Sequence, residues 1–519
     1  MQQNKPFPET SMFKSYFKVG SWTGLSRVFG LVRDITTTGL LGTSSGLHDI
    51  FVVVLKIPNV FRRFFAEGAF SQAFIPIYSE YQEHKSTEEI KDFINNLAGT
   101  LLSFLFIFTI IALFFAPIFI FIFAPGFYFD PLKKDLAVNV LRIMFPYLGL
   151  ISLVAFAGGI QNSHQRFSLP AATPIIFNLC IILSAFFLAP LFSIPIVGLA
   201  WGVLLAGIIQ LLIQLAPLSQ IDRLPIPKIG MSNEGVKKVF ILMLPAVIAG
   251  GVAQINLLID TVFASLLITG SPTWLYVSDR LIQFPLGIFA IAIGTVLLPS
   301  LSNANQRDDL ILFKEQLRKS QRLVMFLAIP SVIGLAICSE HLISTLFQRG
   351  EFMSTDVSQA SKSLIAFSFG LPFFMMMKVL VPAFFSRKDT KTPMYAATAA
   401  LALNIALNYY LAFILGYGHT GLAFASSISA LLSCAILYTI LIKDNYIQFR
   451  NPINRFNLAL ALGSLSIILF LLYGPFNVDF NSLSFLERLF NLSLEVVISI
   501  FLYLLITRAI IGGKLRELF

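Results

Sequence analysis

The chain has 519 residues, is 56% hydrophobic and 12% charged, contains 53 Phe, and has a mean hydropathy of +0.80. These values exclude an ordinary soluble domain and a disordered chain, and they describe an all-α polytopic membrane protein. The formal net charge of +10 would suit nucleic acid, but Lys and Arg gather in alternate loops, as membrane topology requires, so a nucleic-acid partner is excluded.

Apolar runs of about 20 residues recur from near residue 16 to residue 508 and number about 14, joined by short polar connections. The first run carries Arg27, Arg33 and Asp34 behind a polar start, so it is read as a retained helix and not as a cleavable signal. Arg27 and Asp34 lie seven apart, on one helical face. Gly20, Gly24 and Gly30 lower the bulk of this helix, and Gly39, Gly42 and Gly46 are expected to loosen its outer end, a composition that suits a bending gate.

The next stretch, DIFVVVLKIPNVFRRFFAEGAFSQAFIP at 49–76, sets Asp49, Lys56, Arg62, Arg63 and Glu67 in an otherwise apolar segment. Asp49, Lys56 and Arg63 recur every seven residues and Glu67 follows four later, so these four share one face. Each charge left in lipid would cost roughly 2.5–3.5 kcal/mol, so the stripe must face other helices or a watery cavity. Two readings stand: an internally neutralised helix contact, or an anion site. Arg62, off the stripe, argues against full neutralisation. Pro58 predicts a kink.

In the seventh run Asp260 follows Gln254 and Asn256. A carboxylate at that depth is protonated, pairs with a base or binds a cation. Asp279-Arg280 opens the eighth helix, where an interfacial pair with a snorkelling Arg280 competes evenly with a functional role. Asn404 and Asn408, at i and i+4 in the eleventh run, either complete a sodium site with Asp260 or join helices by hydrogen bonds. Lys56, Arg142 and Lys378 read equally well as snorkelling groups. Cys180, Cys338 and Cys434 are read as lone thiols with neither a CxxC pattern nor a His partner, which predicts no disulfide and no metal site. With no Walker A loop and no catalytic triad in the sequence, ATP-driven and enzymatic action lack support.

The chain also repeats. Pro76 and Pro299, Pro170 and Pro393, and Gly198 and Gly421 are each 223 positions apart (299 − 76, 393 − 170, 421 − 198). This predicts two six-helix halves, 1–223 and 224–446, around a central cavity, and two extra helices over 447–519. Cytoplasmic placement of loop cations such as Arg223, Lys237, Arg318 and Arg387 puts the N-terminus in the cytoplasm, and an even span count returns the C-terminus there. The first half has the cationic excess. Several partly desolvated Arg suit a multiply charged anion such as a diphosphate, because guanidinium forks pair bidentately with phosphate oxygens.

SRVFGLVRD at 26–34, HDIFVVVLKIPNVFRRFFAEGAFSQAFIPIYSEY at 48–81, FPYLGLISL at 145–153, NSHQRFSLPAATP at 162–174, SDRLIQFPLGIFAIAIGTVLLPSLS at 278–302 and SRKDTKTP at 386–393 resemble the MurJ/MviN family. Its members are lipid II flippases of the multidrug/oligosaccharidyl-lipid/polysaccharide exporter superfamily. The resemblance implies a 14-helix transporter of the bacterial inner membrane, not an enzyme. Such a protein carries undecaprenyl-diphosphate-linked disaccharide-pentapeptide to the outer leaflet by alternating access, with lipid II, membrane lipids and cell-wall synthesis machinery as partners. By motif match, Arg27, Arg33, Asp49, Arg62, Arg63, Glu67 and Arg280 take the family's cavity roles, and the two last helices form a groove for the polyprenyl tail. Asp260, Asn404 and Asn408 resemble the sodium site of some members, so sodium is the one expected cofactor. Gln283 stands where some relatives have Glu, and Asn408 where a sodium-binding member has an acid. Membrane potential is the alternative energy source, worth about 2.3 kcal/mol per charge across 100 mV. Competing functions are a drug/cation antiporter or another polysaccharide-lipid exporter of the superfamily, a membrane enzyme acting on the lipid-linked diphosphate, and a non-transporting cell-wall scaffold. The antiporter would favour an acidic, aromatic cavity over an Arg-rich one.

Overall fold

The computed structural model describes residues 9–63, 69–447, 454–475, 478 and 480–512, and among these residues every regular element is a helix. They divide into two compact units, Met1–Thr269 and Gly270–Phe519. In the first unit the longer helices are α1 (Glu9–Leu41), α2 (Leu47–Arg62), α3 (Ala69–His84), α4 (Thr87–Phe114), α5 (Ala116–Phe123), α6 (Pro125–Tyr128), α7 (Pro131–Met144), α8 (Tyr147–Ser163), α9 (Ser168–Phe187), α10 (Pro195–Gln220) and α11 (Glu234–Ser265). In the second they are α12 (Ser271–Pro285), α13 (Ile291–Gln306), α14 (Leu310–Ile337), α15 (Ser339–Phe347), α16 (Ser354–Ser368), α17 (Leu371–Phe385), α18 (Lys391–Tyr409), α19 (Gly418–Lys443), α20 (Arg455–Tyr473) and α21 (Phe485–Ile511).

Among the described residues eleven segments are long and apolar enough to cross a membrane. Two helices fall outside that set for a plain cause. Lys14, Lys18, Arg27, Arg33 and Asp34 dilute the apolar character of α1, and α2 has 16 residues where a span needs about 20. Several spans are jointed. The Pro131–Ser163 span changes from α7 to α8 at Phe145-Pro146, and the Ser271–Gln306 span carries a π-helical turn at Leu286–Ala290 just after Pro285. A proline lacks the N–H that its turn requires, so the ladder breaks or re-forms there.

Inside lipid the hydrophobic effect does not drive helix against helix; close packing and buried polar contacts do. In the first unit Phe61 of α2 sits among Phe108, Phe119 and Phe145, with ring centroids 5.3, 5.7 and 6.0 Å away, which ties α2 to α4, α5 and the α7–α8 joint. A second aromatic stack, Phe70, Phe74 and Tyr78 with Phe93 and Phe156, joins α3 to α4 and α8. After α10 the chain crosses α4 and is strapped to it. Ile226 N–H donates to Asn95 Oδ1 at 2.7 Å and Lys228 N–H to Asn95 O at 3.0 Å. Gly99 permits this crossing, since a Cβ there would overlap the Lys228 carbonyl.

Candidate functional site

The charged residues of α1 and α2 fold into two distinct arrangements. The first is a buried lock. Arg33 donates to Asp34 Oδ1 through Nε at 3.0 Å and Nη2 at 2.6 Å, and through Nη1 to Asn178 Oδ1 of α9 at 3.0 Å. Asn178 Nδ2 in turn donates to the Ser26 carbonyl at 3.2 Å. The guanidinium lies 5.8 Å from the centre of the Phe177 ring. Arg33 is 9% and Asp34 1% exposed, so this pair is taken out of water and fixed by a neutral amide. One helical turn further on, the Thr37 and Thr38 hydroxyls lie 3.5 and 3.2 Å from His48 Nε2. His48 and Asp49 are fully buried.

The α1–α2 junction corrects one expectation. Gly42 and Gly46 have φ of 58° and 70°, the left-handed region that glycine adopts without steric cost. They build a tight turn and do not loosen the helix. At Gly46 a Cβ would also meet the Thr269 methyl at 3.1 Å and Lys133 Cε at 3.3 Å.

The second arrangement is the stripe on α2. Lys56 Nζ donates to Thr261 Oγ1 at 3.2 Å and Arg63 Nη1 to Gln254 Oε1 at 2.9 Å. Lys56 and Arg63 are seven apart going up α2, while Thr261 and Gln254 are seven apart going down α11. The two helices are therefore antiparallel, and the heptad face read from the sequence is the one turned to α11. Pro58 leaves α2 unbroken from Leu47 to Arg62, and Asn59 Nδ2 donates to the Leu55 carbonyl beside it at 2.9 Å. Arg27 and Arg63 are exposed; Arg62 and Asp260 are half-buried. Glu67 lies outside the described residues. Arg27 and Asp34, expected on one face, differ in surroundings: Asp34 is buried against α9 and Arg27 is exposed.

In the second unit Arg280 is half-buried and donates through Nη2 to Tyr276 Oη at 2.6 Å, with its guanidinium 4.9 Å from the same ring. Asp279 is exposed and accepts through Oδ1 from Gln283 Nε2 at 3.4 Å. Asn408 Nδ2 donates to Asn404 Oδ1 at 3.0 Å, and Asn404 Nδ2 to Ser426 Oγ of α19 at 3.3 Å. Both asparagines are buried, and the relay joins α18 to α19.

Sequence reasoning passed over one cluster in this unit. Cys338, read as a lone thiol, is followed three residues later by His341, and both face Glu495 of α21. Their ligand atoms all lie within 4.8 Å of one another, and His341 Nδ1 is 3.0 Å from Glu495 Oε2. Glu495 is 2% exposed. Its signal was available: an acid in the middle of an apolar run is costly and needs a partner.

A family model described as lipid II flippase MurJ matches residues 39–491. A probable lipid II flippase MurJ from Vibrio cholerae serotype O1 is 43% identical over 434 residues, 82% of each chain. A solved structure described as lipid II flippase MurJ in an inward closed conformation is similar at a TM-score of 0.79 with 28% identity, covering 95% of this chain and 98% of that one. An inward-facing multidrug resistance MATE family transporter of the MOP superfamily shares the fold, at a TM-score of 0.58 and 12% identity over 83% of this chain and 94% of the other.

Proposed function

The chain belongs to the lipid II flippase MurJ family, and on that premise we propose that it carries lipid II across the bacterial inner membrane. It acts as a transporter and not as an enzyme, delivering the head group from the cytoplasmic to the outer leaflet by alternating access while the polyprenyl tail stays in the bilayer. The observation that carries a residue-level reading is the α2 stripe. Lys56 and Arg63 stand one heptad apart and reach across to Thr261 and Gln254 on α11, which sets two cationic side chains in a row on one helix face. Two cations spaced about 10 Å along a helix match a diphosphate followed by a sugar.

Arg63, Arg62 and Arg27 are proposed as head-group contacts of the first unit, and Asp49 as the acid that offsets positive charge at the far end of the same α2 face. Arg33 has a different task in this reading. Its pairing with Asp34 and Asn178 positions α1, so it acts through the helix and not on phosphate. Arg280 is proposed as a head-group contact of the second unit, held ready by Tyr276. The halves 1–223 and 224–446, the tail groove over 447–519 and cytoplasmic termini remain part of the proposal, supported by the 223-residue offset and by the distribution of Lys and Arg.

The test is competitive. Offered lipid II, undecaprenyl phosphate and a cationic drug together, the purified protein should retain lipid II selectively in native mass spectrometry, and in vesicles it should move lipid II between leaflets. Preferential retention of the drug would instead favour an antiporter; selective binding without movement would favour a scaffold. Sodium coupling is a separate proposal, in which Asp260 supplies the carboxylate and Asn404 and Asn408 the amide oxygens. Sodium should then raise the melting temperature of the wild type but not of Asp260→Asn. A wild type indifferent to sodium would leave membrane potential as the energy source.

A further inference from the structure

We propose that Cys338, His341 and Glu495 form a binding site for a borderline-soft divalent cation, zinc by preference, which staples α21 to the α14–α15 junction. Three features support it. The donor set is a thiol, an imidazole and a carboxylate, the three side-chain types that zinc takes, and the sulfur and nitrogen donors disfavour hard cations such as sodium, magnesium and calcium. The geometry is near what coordination needs. Zinc–ligand bonds of about 2.0–2.3 Å in a tetrahedron put ligand atoms roughly 3.3–3.6 Å apart. Here the nitrogen–oxygen pair is at 3.0 Å and all three donors lie within 4.8 Å, so small side-chain rotations close the set.

The third feature is that the surroundings hold the donors in place. Cys338 ends α14, its N–H donating to Gly334 O at 2.9 Å, and α15 begins at the next residue. The His341 ring lies flat on Phe480, with centroids 3.8 Å apart and planes 10° from parallel, which fixes its orientation. Its backbone carbonyl accepts from Thr345 Oγ1 at 2.6 Å. Two turns before Glu495, Arg488 donates through Nη1 to Gln348 Oε1 at 2.8 Å and to Ser344 O at 3.3 Å. That second tie sets the register of α21 against α15 without any help from the cation. The arrangement resembles the outer shell that holds metal ligands in other sites. Three protein donors leave a fourth coordination position to solvent or to an incoming group.

The rival is an imidazolium–carboxylate pair with the thiol as a bystander. The two differ in what cobalt shows. Titrated with Co2+, the full-length protein should bind one equivalent and develop a thiolate-to-cobalt charge-transfer band, which excess zinc abolishes. The band should vanish in Cys338→Ser, persist in Cys180→Ser and Cys434→Ser, and require at least tenfold more cobalt in Glu495→Gln or His341→Gln. Binding should strengthen as pH rises, because the thiol and the imidazole must give up protons to the solvent. Zinc should also raise the melting temperature of the wild type and leave that of Cys338→Ser unchanged. Absence of the band in the wild type, which needs no variant to fold, overturns the site, as does a band that survives Cys338→Ser.

Discussion

Arg33→Ala should lower the stability of the protein by about 3–5 kcal/mol, read as a large fall in melting temperature, because it removes the guanidinium that donates twice to the Asp34 carboxylate in a site 1% exposed to solvent. The loss should be specific to the broken pair. Arg33→Ala/Asp34→Ala removes both charges and should recover most of the stability, since a buried ion pair contributes little net energy over neutral side chains that fit. Arg33→Lys should not rescue, because an ammonium cannot serve Asp34 and Asn178 in the fork geometry that Nε, Nη1 and Nη2 provide. The double variant then separates two roles in a vesicle flipping assay. A stable but inactive protein means that the lock between α1 and α9 is needed for transport. A stable and active one reduces Arg33 to a structural residue.

Arg63→Ala should do the opposite. Its side chain is exposed and makes one hydrogen bond to a neutral amide, so the melting temperature should move little. Lipid II retention should fall roughly 10–100-fold, the equivalent of about 1.5–3 kcal/mol for a charge-assisted hydrogen bond lost from a phosphate contact. Arg63→Lys should keep part of the affinity as a point charge. An Arg63→Ala protein that melts normally and binds lipid II as tightly as the wild type would remove this residue from the head-group site, and with it the assignment of the α2 stripe.

The stripe itself was legible because a period of seven on a helix needs no knowledge of the partner. Asp49, Lys56 and Arg63 must share a face wherever α2 goes, and lipid excludes that face. What could not be read was the partner's identity. Thr261 and Gln254 are about 200 positions away and are ordinary polar residues in an apolar helix. The same limit applies to Arg33, whose sequence neighbourhood offered only Asp34; its third contact, Asn178, is 145 positions on. The glycines after α1 are hidden from the sequence for a different reason. Composition says that Gly42 and Gly46 are permissive, but only the sign of φ says whether the permission is used for flexibility or for a turn. Cys338 reads as a lone thiol in the sequence although His341 follows three residues later. A thiol, an imidazole three residues later and an acid in another helix form no short motif, and only the packing of α21 brings the acid in.

The turn at Gly42 and Gly46 and the Arg33–Asn178 lock act on the same helix, and together they make α1 a cantilever. It is clamped at its C-terminal half by the turn, by the buried ion pair and by the amide that reaches back to the Ser26 carbonyl. N-terminal to the clamp, Gly20 and Gly24 meet no other helix among the described residues within 4 Å of where a side chain would start. Bending of this beam is therefore easiest N-terminal to Ser26, and Arg27 stands on the clamped side of the pivot.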